Sequence, residues 1–188
     1  MIITVCIKSL EKQELKKDHV TFSYIMSQVC DVIEPKLKDL FEKDAEDFDE
    51  VVRLRMERDQ TTNPNAKSQL SRQANDLLEI ATSNSFEIID QCFKLVEHGI
   101  VVFSSGWQAV RGDSGAAISA GLAGVTSGIF ISNLNLKTLK DRKFASEKIA
   151  RCEELYKELT HKQTRAFECV TTLNSEAISA IQLELIKT

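Results

Sequence analysis

Asp44 is the residue whose place in the sequence points most directly to chemistry. It follows Leu40 by four residues and precedes Phe48 by four, so a helix here puts all three on one face and turns the carboxylate inward. A buried carboxylate is costly unless it is paired or hydrogen-bonded, and such groups gather at functional sites, where they stabilise cations or transfer protons. The alternative is a structural role, with Asp44 accepting a hydrogen bond from a neighbouring helix end.

Four other polar residues are candidates for binding a ligand. Arg111 could hold a carboxylate through a bidentate guanidinium contact, and Lys137 could do so as a point charge, although exposed basic residues are usually only solvated. Asp113 could contact a ligand, but capping the helix that follows it is the expected role. Asn135 lies in a stretch without charge, so its amide needs a partner, either a ligand or neighbouring backbone.

Long helices are expected to position these residues. All seven glycines lie within residues 99–128, and only two prolines occur in the chain, a pattern that predicts an all-α protein without a sheet. Apolar spacing predicts helices over about residues 20–56 with a kink near Pro35, from Pro64 to a left-handed cap at Gly99, from Asp113 or Ser114 to about Leu139, and over residues 144–185.

The third of these helices has no charged residue over positions 114–136. Such a helix is expected to be buried, and its small residues at helical spacing would let other helices, or a partner subunit, approach closely. A transmembrane span is the alternative, because the stretch is long enough to cross a bilayer. Its serine, threonine and asparagine residues make it too polar for a lone span, so we expect no membrane partner.

Charge and cysteine content exclude several classes of protein. A net charge of −4 with a pI near 5.5 disfavours binding to a nucleic-acid backbone, which needs clustered Lys and Arg. Five widely spaced cysteines without a CxxC pair indicate neither a disulfide framework nor a metal site. The short apolar opening lacks the features of an export signal, so the sequence predicts a single cytoplasmic domain over residues 1–188.

Three short segments resemble the cyclodeaminase/cyclohydrolase family of folate enzymes. They are D-A-E-D-F at residues 44–48, D-S-G-A-A at 113–117 and N-L-N-L-K at 133–137, in the order and spacing of the family's D-A-x-A-F segment, helix start and helix end. The resemblance covers about residues 1–157. The family includes the cyclodeaminase domain of formiminotransferase-cyclodeaminase and methenyltetrahydrofolate cyclohydrolases, whose additional first helix and P-G-G-G-S turn this sequence does not show.

The resemblance implies a fold and a function. It implies a bundle of about five long helices around a central small-residue helix, and a homodimer with its ligand groove near the subunit contact. It also implies a folate one-carbon enzyme acting on 5,10-methenyl- or 5-formimino-tetrahydrofolate without a further cofactor. Asp44 would be the catalytic carboxylate, and the substrate would be bound by Arg111, Asp113, Asn135 and Lys137. The alternative is a non-catalytic homologue that serves as a dimeric helical binding or scaffold module.

Overall fold

The structure is a computed structural model that describes residues 1–187, with side chains described to residue 184. Six α-helices account for most of this range: α1 (Ile2–Leu10), α2 (His19–Ser27), α3 (Glu34–Gln60), α4 (Pro64–Ser105), α5 (Arg111–Thr138) and α6 (Lys143–Lys187). No strand occurs in residues 1–187. The predicted all-α bundle of about five helices is confirmed, since α2 and α3 run on through the π-helical turn Gln28–Ile33 as one helix.

This π-helical turn replaces the kink expected at Pro35. The turn ends at Ile33, and Pro35 occupies the first turn of α3. The π-turn distorts the helix locally, just before Pro35, in place of the kink that a proline would cause inside a continuous α-helix. The single long helix expected over residues 20–56 is therefore present, with its irregular segment slightly earlier than predicted.

Helix α4 starts as predicted and ends later than predicted. Asn63 caps it, with Oδ1 accepting from the backbone N–H of Asn65 at 3.0 Å and of Ala66 at 3.4 Å. The expected end at Gly99 is wrong, because α4 continues to Ser105. Gly99 lies inside the helix at the crossing with α5, where a Cβ would come within 2.7 Å of Ile118 Cγ1. Close helix approach, not a left-handed cap, accounts for this glycine.

Helix α5 packs antiparallel against α4 along a line of its own small residues. A Cβ at Gly121 would lie 2.8 Å from Val96 Cγ2, and one at Gly128 would lie 2.5 Å from Ile89 Cγ1. Real Cβ atoms essentially never come this close. The glycines therefore fix the distance between the two helices.

Helix α6 runs parallel to α4 and is joined to it by a row of interhelical ion pairs. Arg142, in the turn just before α6, bonds Glu79 at 2.7 Å, Arg151 bonds Asp90 at 2.7 Å, and Glu97 accepts from Lys162 further along. Beneath these pairs lies one apolar core shared by α3, α4, α5 and α6, which includes Leu40, Val51, Leu78, Ile89, Val125 and Leu155.

The outer face of α5 is open to solvent. Phe130 is 70% exposed and Leu134 is 65% exposed, so the expectation of a buried helix is wrong for a single chain. The segment Gln108–Thr138 is long and apolar enough to cross a membrane by length and composition, a test that core helices of soluble proteins also pass.

Candidate functional site

Asp44 lies half-buried on the inward side of α3, at its edge. The positions that face the core are Leu40, Val51 and Leu54, and Asp44 and Asp47 fill the two places between them at spacings of four and three residues. Phe48, which the sequence placed on the inward face, is exposed instead. The buried face of α3 therefore holds two carboxylates in place of two apolar side chains.

Asp47 ties α3 to α4, and its charge acts on Asp44. Its carboxylate accepts a hydrogen bond from Nδ2 of Asn84 at 3.0 Å. Burial, and then the charge of Asp47, raise the pKa of Asp44 above its ordinary value. Within the described residues no side chain bonds or pairs with Asp44. A carboxyl group with a raised pKa and free oxygens is suited to accepting and returning a proton.

A second set of buried polar groups lies near the C-terminal end of α5. Ser132 is fully buried, and its Oγ has no hydrogen-bond partner among the described residues. Asn135 is 9% exposed and no hydrogen bond reaches its side chain within residues 1–184, but its amide, unlike the Ser132 hydroxyl, is in contact with solvent. The two are three residues apart and share one face of α5. A buried hydroxyl without a partner, such as that of Ser132, costs about 1–3 kcal/mol, so this face is a place where a ligand could supply a partner.

A line of contacts leads from Asp47 on α3 through α4 toward the α5 polar pair. Asn84, which bonds Asp47, is followed by Ser85, whose carbonyl would lie 3.7 Å from a Cβ on Gly128. Gly128 is one helical turn before Ser132. Just beyond, a cleft of about 440 Å³ at the turn into α6 is lined by Asn133, Lys137 and other residues. Lys137 is exposed there.

Arg111 and Asp113 lie at the opposite end of α5. Arg111 is the first residue of the helix, and Asn135 follows it by 24 residues, or about 36 Å at 1.5 Å per residue. The Nη1 group of Arg111 donates to both carboxylate oxygens of Glu176 at 2.8 Å, and Nε donates to the Phe103 carbonyl at 3.1 Å. The guanidinium is thus already occupied by α6.

Asp113 is exposed and does not cap α5. Val110 holds the cap position without a side-chain hydrogen bond, and Asp113 lies inside the first turn. The predicted capping role is therefore wrong. The short 3-10 turn Gln108–Val110 leads straight into the helix, which starts two residues earlier than expected. An acidic side chain in the first turn still interacts favourably with the helix dipole.

One chain therefore does not bring the five predicted residues together. Asn135 and Lys137 lie near the C-terminal end of α5 and Arg111 and Asp113 at its N-terminal end, whereas Asp44 lies on α3 near Asp47, which bonds Asn84 in the middle of α4. Asp47, Asn84 and Ser132 were missed by the sequence analysis. The spacing of Asp47 from Leu40 and Val51, and of Ser132 from Asn135, is the signal that could have identified two of them.

These features define an all-α helical-bundle protein in which carboxylates and unpaired polar groups interrupt an apolar helix packing. Comparison with protein families then makes the assignment specific. A family model described as formiminotransferase-cyclodeaminase matches residues 1–154. The chain therefore belongs to the formiminotransferase-cyclodeaminase family, which confirms the resemblance carried by the three short segments.

The fold is shared with a solved member of this group. The crystal structure of formiminotetrahydrofolate cyclodeaminase from Thermotoga maritima is similar, with a TM-score of 0.68 and 15% sequence identity. The match covers 92% of this chain and 80% of that chain. At this identity the similarity shows a common fold. A comparison with curated protein sequences gave no match.

Proposed function

We propose that this chain, as one domain over residues 1–188, is a cytoplasmic folate one-carbon enzyme of the cyclodeaminase/cyclohydrolase type. Its substrate is 5,10-methenyl- or 5-formimino-tetrahydrofolate, and it works as a homodimer without nucleic-acid or membrane partners. The observation that carries the proposal is Asp44, a carboxyl group with a raised pKa and no protein partner in the described residues, within a segment that resembles the family's own motif.

Asp44 suits either reaction. Hydrolysis adds water to a cationic one-carbon bridge, and cyclodeamination expels ammonia while closing that bridge. Each needs a carboxylate that stabilises the cation or moves a proton. We assign this role to Asp44, and substrate binding to Asn135 and Lys137 near the C-terminal end of α5 and to Arg111 and Asp113 at its N-terminal end.

The proposal is tested by following the loss of methenyl absorbance, and the release of ammonia from the formimino substrate, in wild-type protein and in Asp44→Asn. The amide keeps the shape but cannot accept the proton, so the rate is expected to fall about a hundredfold or more. Asp49→Asn is the matched control, because Asp49 is exposed on the same helix. If the Asp44→Asn protein turned over its substrate as fast as wild type, the role of Asp44 would be structural.

The alternative is a non-catalytic dimeric helical module. The observation in its favour is the occupied guanidinium of Arg111, which Glu176 neutralises at 2.8 Å. The alternative would be established if the wild-type protein bound methenyl-tetrahydrofolate but its absorbance fell no faster than by spontaneous hydrolysis. Turnover that depends on Asp44 would exclude it.

A further inference from the structure

The guanidinium of Arg111 is held in position by the end of α4 as well as by α6. Nε of Arg111 donates to the Phe103 carbonyl at 3.1 Å, and the guanidinium carbon lies 5.1 Å from the centre of the Phe103 ring, a cation–π distance. Nη2 makes no hydrogen bond with any group of residues 1–184. An enclosed guanidinium requires an anionic partner, because an unpaired buried charge is strongly unfavourable. Arg111 is therefore a fixed point to which one carboxylate binds.

A cavity lies beside this guanidinium. It has a volume of about 540 Å³ and is formed by the 3-10 turn Gln13–Asp18 and by the connection from α4 to α5. Its lining combines basic, acidic and aromatic side chains, among them Lys17, Arg111, Glu14, Asp18 and Trp107. Small-molecule sites have volumes of about 300–1,000 Å³, so the cavity has room for a ligand whose carboxylate reaches Arg111.

The carboxylate that pairs with Arg111 in this structure comes from the least packed part of α6. Leu173 still packs against an apolar cluster, but every residue over 174–184, which we call the α6 end, is exposed. Among the side chains of the α6 end, only that of Glu176 bonds another helix. The α6 end also lies outside residues 1–154, the part of the chain that the family model matches.

The two partners of this ion pair differ in how firmly they are held. The Arg111 side chain is 11% exposed, whereas that of Glu176 is 47% exposed. Glu176 can therefore leave Arg111 without breaking any apolar packing of its own, while Arg111 keeps its contacts with Phe103. A half-exposed carboxylate of this kind is weakly held, because water and a dissolved anion compete for it and for its partner.

We propose that Glu176 is an internal substitute for a ligand carboxylate, and that the α6 end is an autoinhibitory latch on the Arg111 site. The proposal rests on the proposed function, in which Arg111 binds the substrate. Nη1 of Arg111 donates to both oxygens of Glu176 at 2.8 Å, so a ligand carboxylate takes this position only after Glu176 leaves. The measured affinity is then the intrinsic affinity reduced by the fraction of molecules in which the latch is open.

Removing the charge of Glu176 tests the latch without any turnover. Isothermal titration calorimetry with p-aminobenzoyl-L-glutamate, the carboxylate-bearing part of a folate, is expected to show binding about tenfold tighter to Glu176→Gln than to wild type. p-Aminobenzamide, which has no carboxylate, should not distinguish the two proteins. Glu184→Gln is the matched control, because Glu184 is exposed on the same helix, and it should bind as wild type does. Adding Arg111→Gln to Glu176→Gln leaves neither charge and should abolish the gain.

Hydrogen exchange tests the latch in the wild-type protein, which matters because Glu176→Gln leaves Arg111 without its partner and could lower stability. Saturating p-aminobenzoyl-L-glutamate is expected to speed amide exchange over residues 174–184, as the α6 end is released, and to slow it over residues 103–111. Equal affinity of wild type and Glu176→Gln, binding to neither, or exchange over 174–184 that is unchanged or slower would overturn the proposal. None of these results depends on turnover, so each leaves the Asp44 activity test unaffected.

Discussion

The surroundings of Asp44 favour its neutral, protonated form over its charged form. Burial and the neighbouring Asp47 raise its pKa, so the folded protein holds the Asp44 proton more tightly than the unfolded chain does. The resulting contribution to stability is present at acidic pH and is lost as the pH rises through the raised pKa. At neutral pH the ionised Asp44 therefore lowers the free energy of unfolding, as expected of a group kept for function.

Replacing Asp44 by Asn should remove this pH dependence. We expect Asp44→Asn to match wild type at a pH below the ordinary pKa of an aspartic acid and to become the more stable protein as the pH rises above it, since the amide stays neutral throughout. Chemical denaturation at several pH values measures the difference. Asp49→Asn, exposed on the same helix, should show no such divergence. A difference that is constant with pH would mean that the Asp44 charge is not penalised by folding.

At the scale of the element, the contact between α4 and α5 depends on particular glycines and not on glycine content. A Cβ on Gly128 would meet Cγ1 of the fully buried Ile89 at 2.5 Å, whereas a Cβ on Gly115 would have no atom within 4 Å. Both residues lie within the same helix. They differ only in what stands opposite them.

This difference predicts opposite effects of the same substitution. Gly128→Ala should lower the free energy of unfolding by about 1–3 kcal/mol, because the fully buried Ile89 would have to shift to admit the new methyl group. Gly115→Ala should raise it by about 0.5–1 kcal/mol, because alanine is the better helix former. Urea denaturation of the two variants provides the comparison. Equal effects would mean that the crossing is looser than the structure shows.

At the scale of the whole molecule, a single chain leaves a large apolar surface in water. Phe130 and Leu134 are exposed on α5, with Ile149 and Tyr156 of α6 also exposed. A surface of this kind on a monomer is a mark of an interaction site. Association of two chains would remove this surface from water and would raise the free energy of unfolding.

The unfolding temperature is therefore expected to depend on protein concentration. A protein that melts from a dimer to unfolded chains gains stability by mass action, so its Tm should rise between 1 and 100 μM. Light scattering at micromolar concentration should give about twice the chain mass of 21.1 kDa. A mass near that of one chain, with a constant Tm, would contradict the homodimer.

The sequence determined the elements that depend on neighbours within a few residues. The start of α4 was predicted from Pro64, because a proline at the first helical position acts on the first turn of its own helix. The all-α class followed from apolar periodicity and from the absence of glycine over the first 98 residues. The inward position of Asp44 was predicted from its spacing to Leu40, and the family from three short segments.

Tertiary structure decided everything that depends on residues distant in the chain. Gly99 was expected to end α4, yet it lies inside the helix where α4 crosses α5 at Ile118. Arg111 was expected to be available for a ligand, yet Glu176, 65 residues away in the chain, forms an ion pair with it. Asp47 acquires its role only through Asn84 on another helix. Periodicity reports that a face is apolar, but not which element covers it, so only the packed bundle showed that one face of α5 meets α4 while the other remains open.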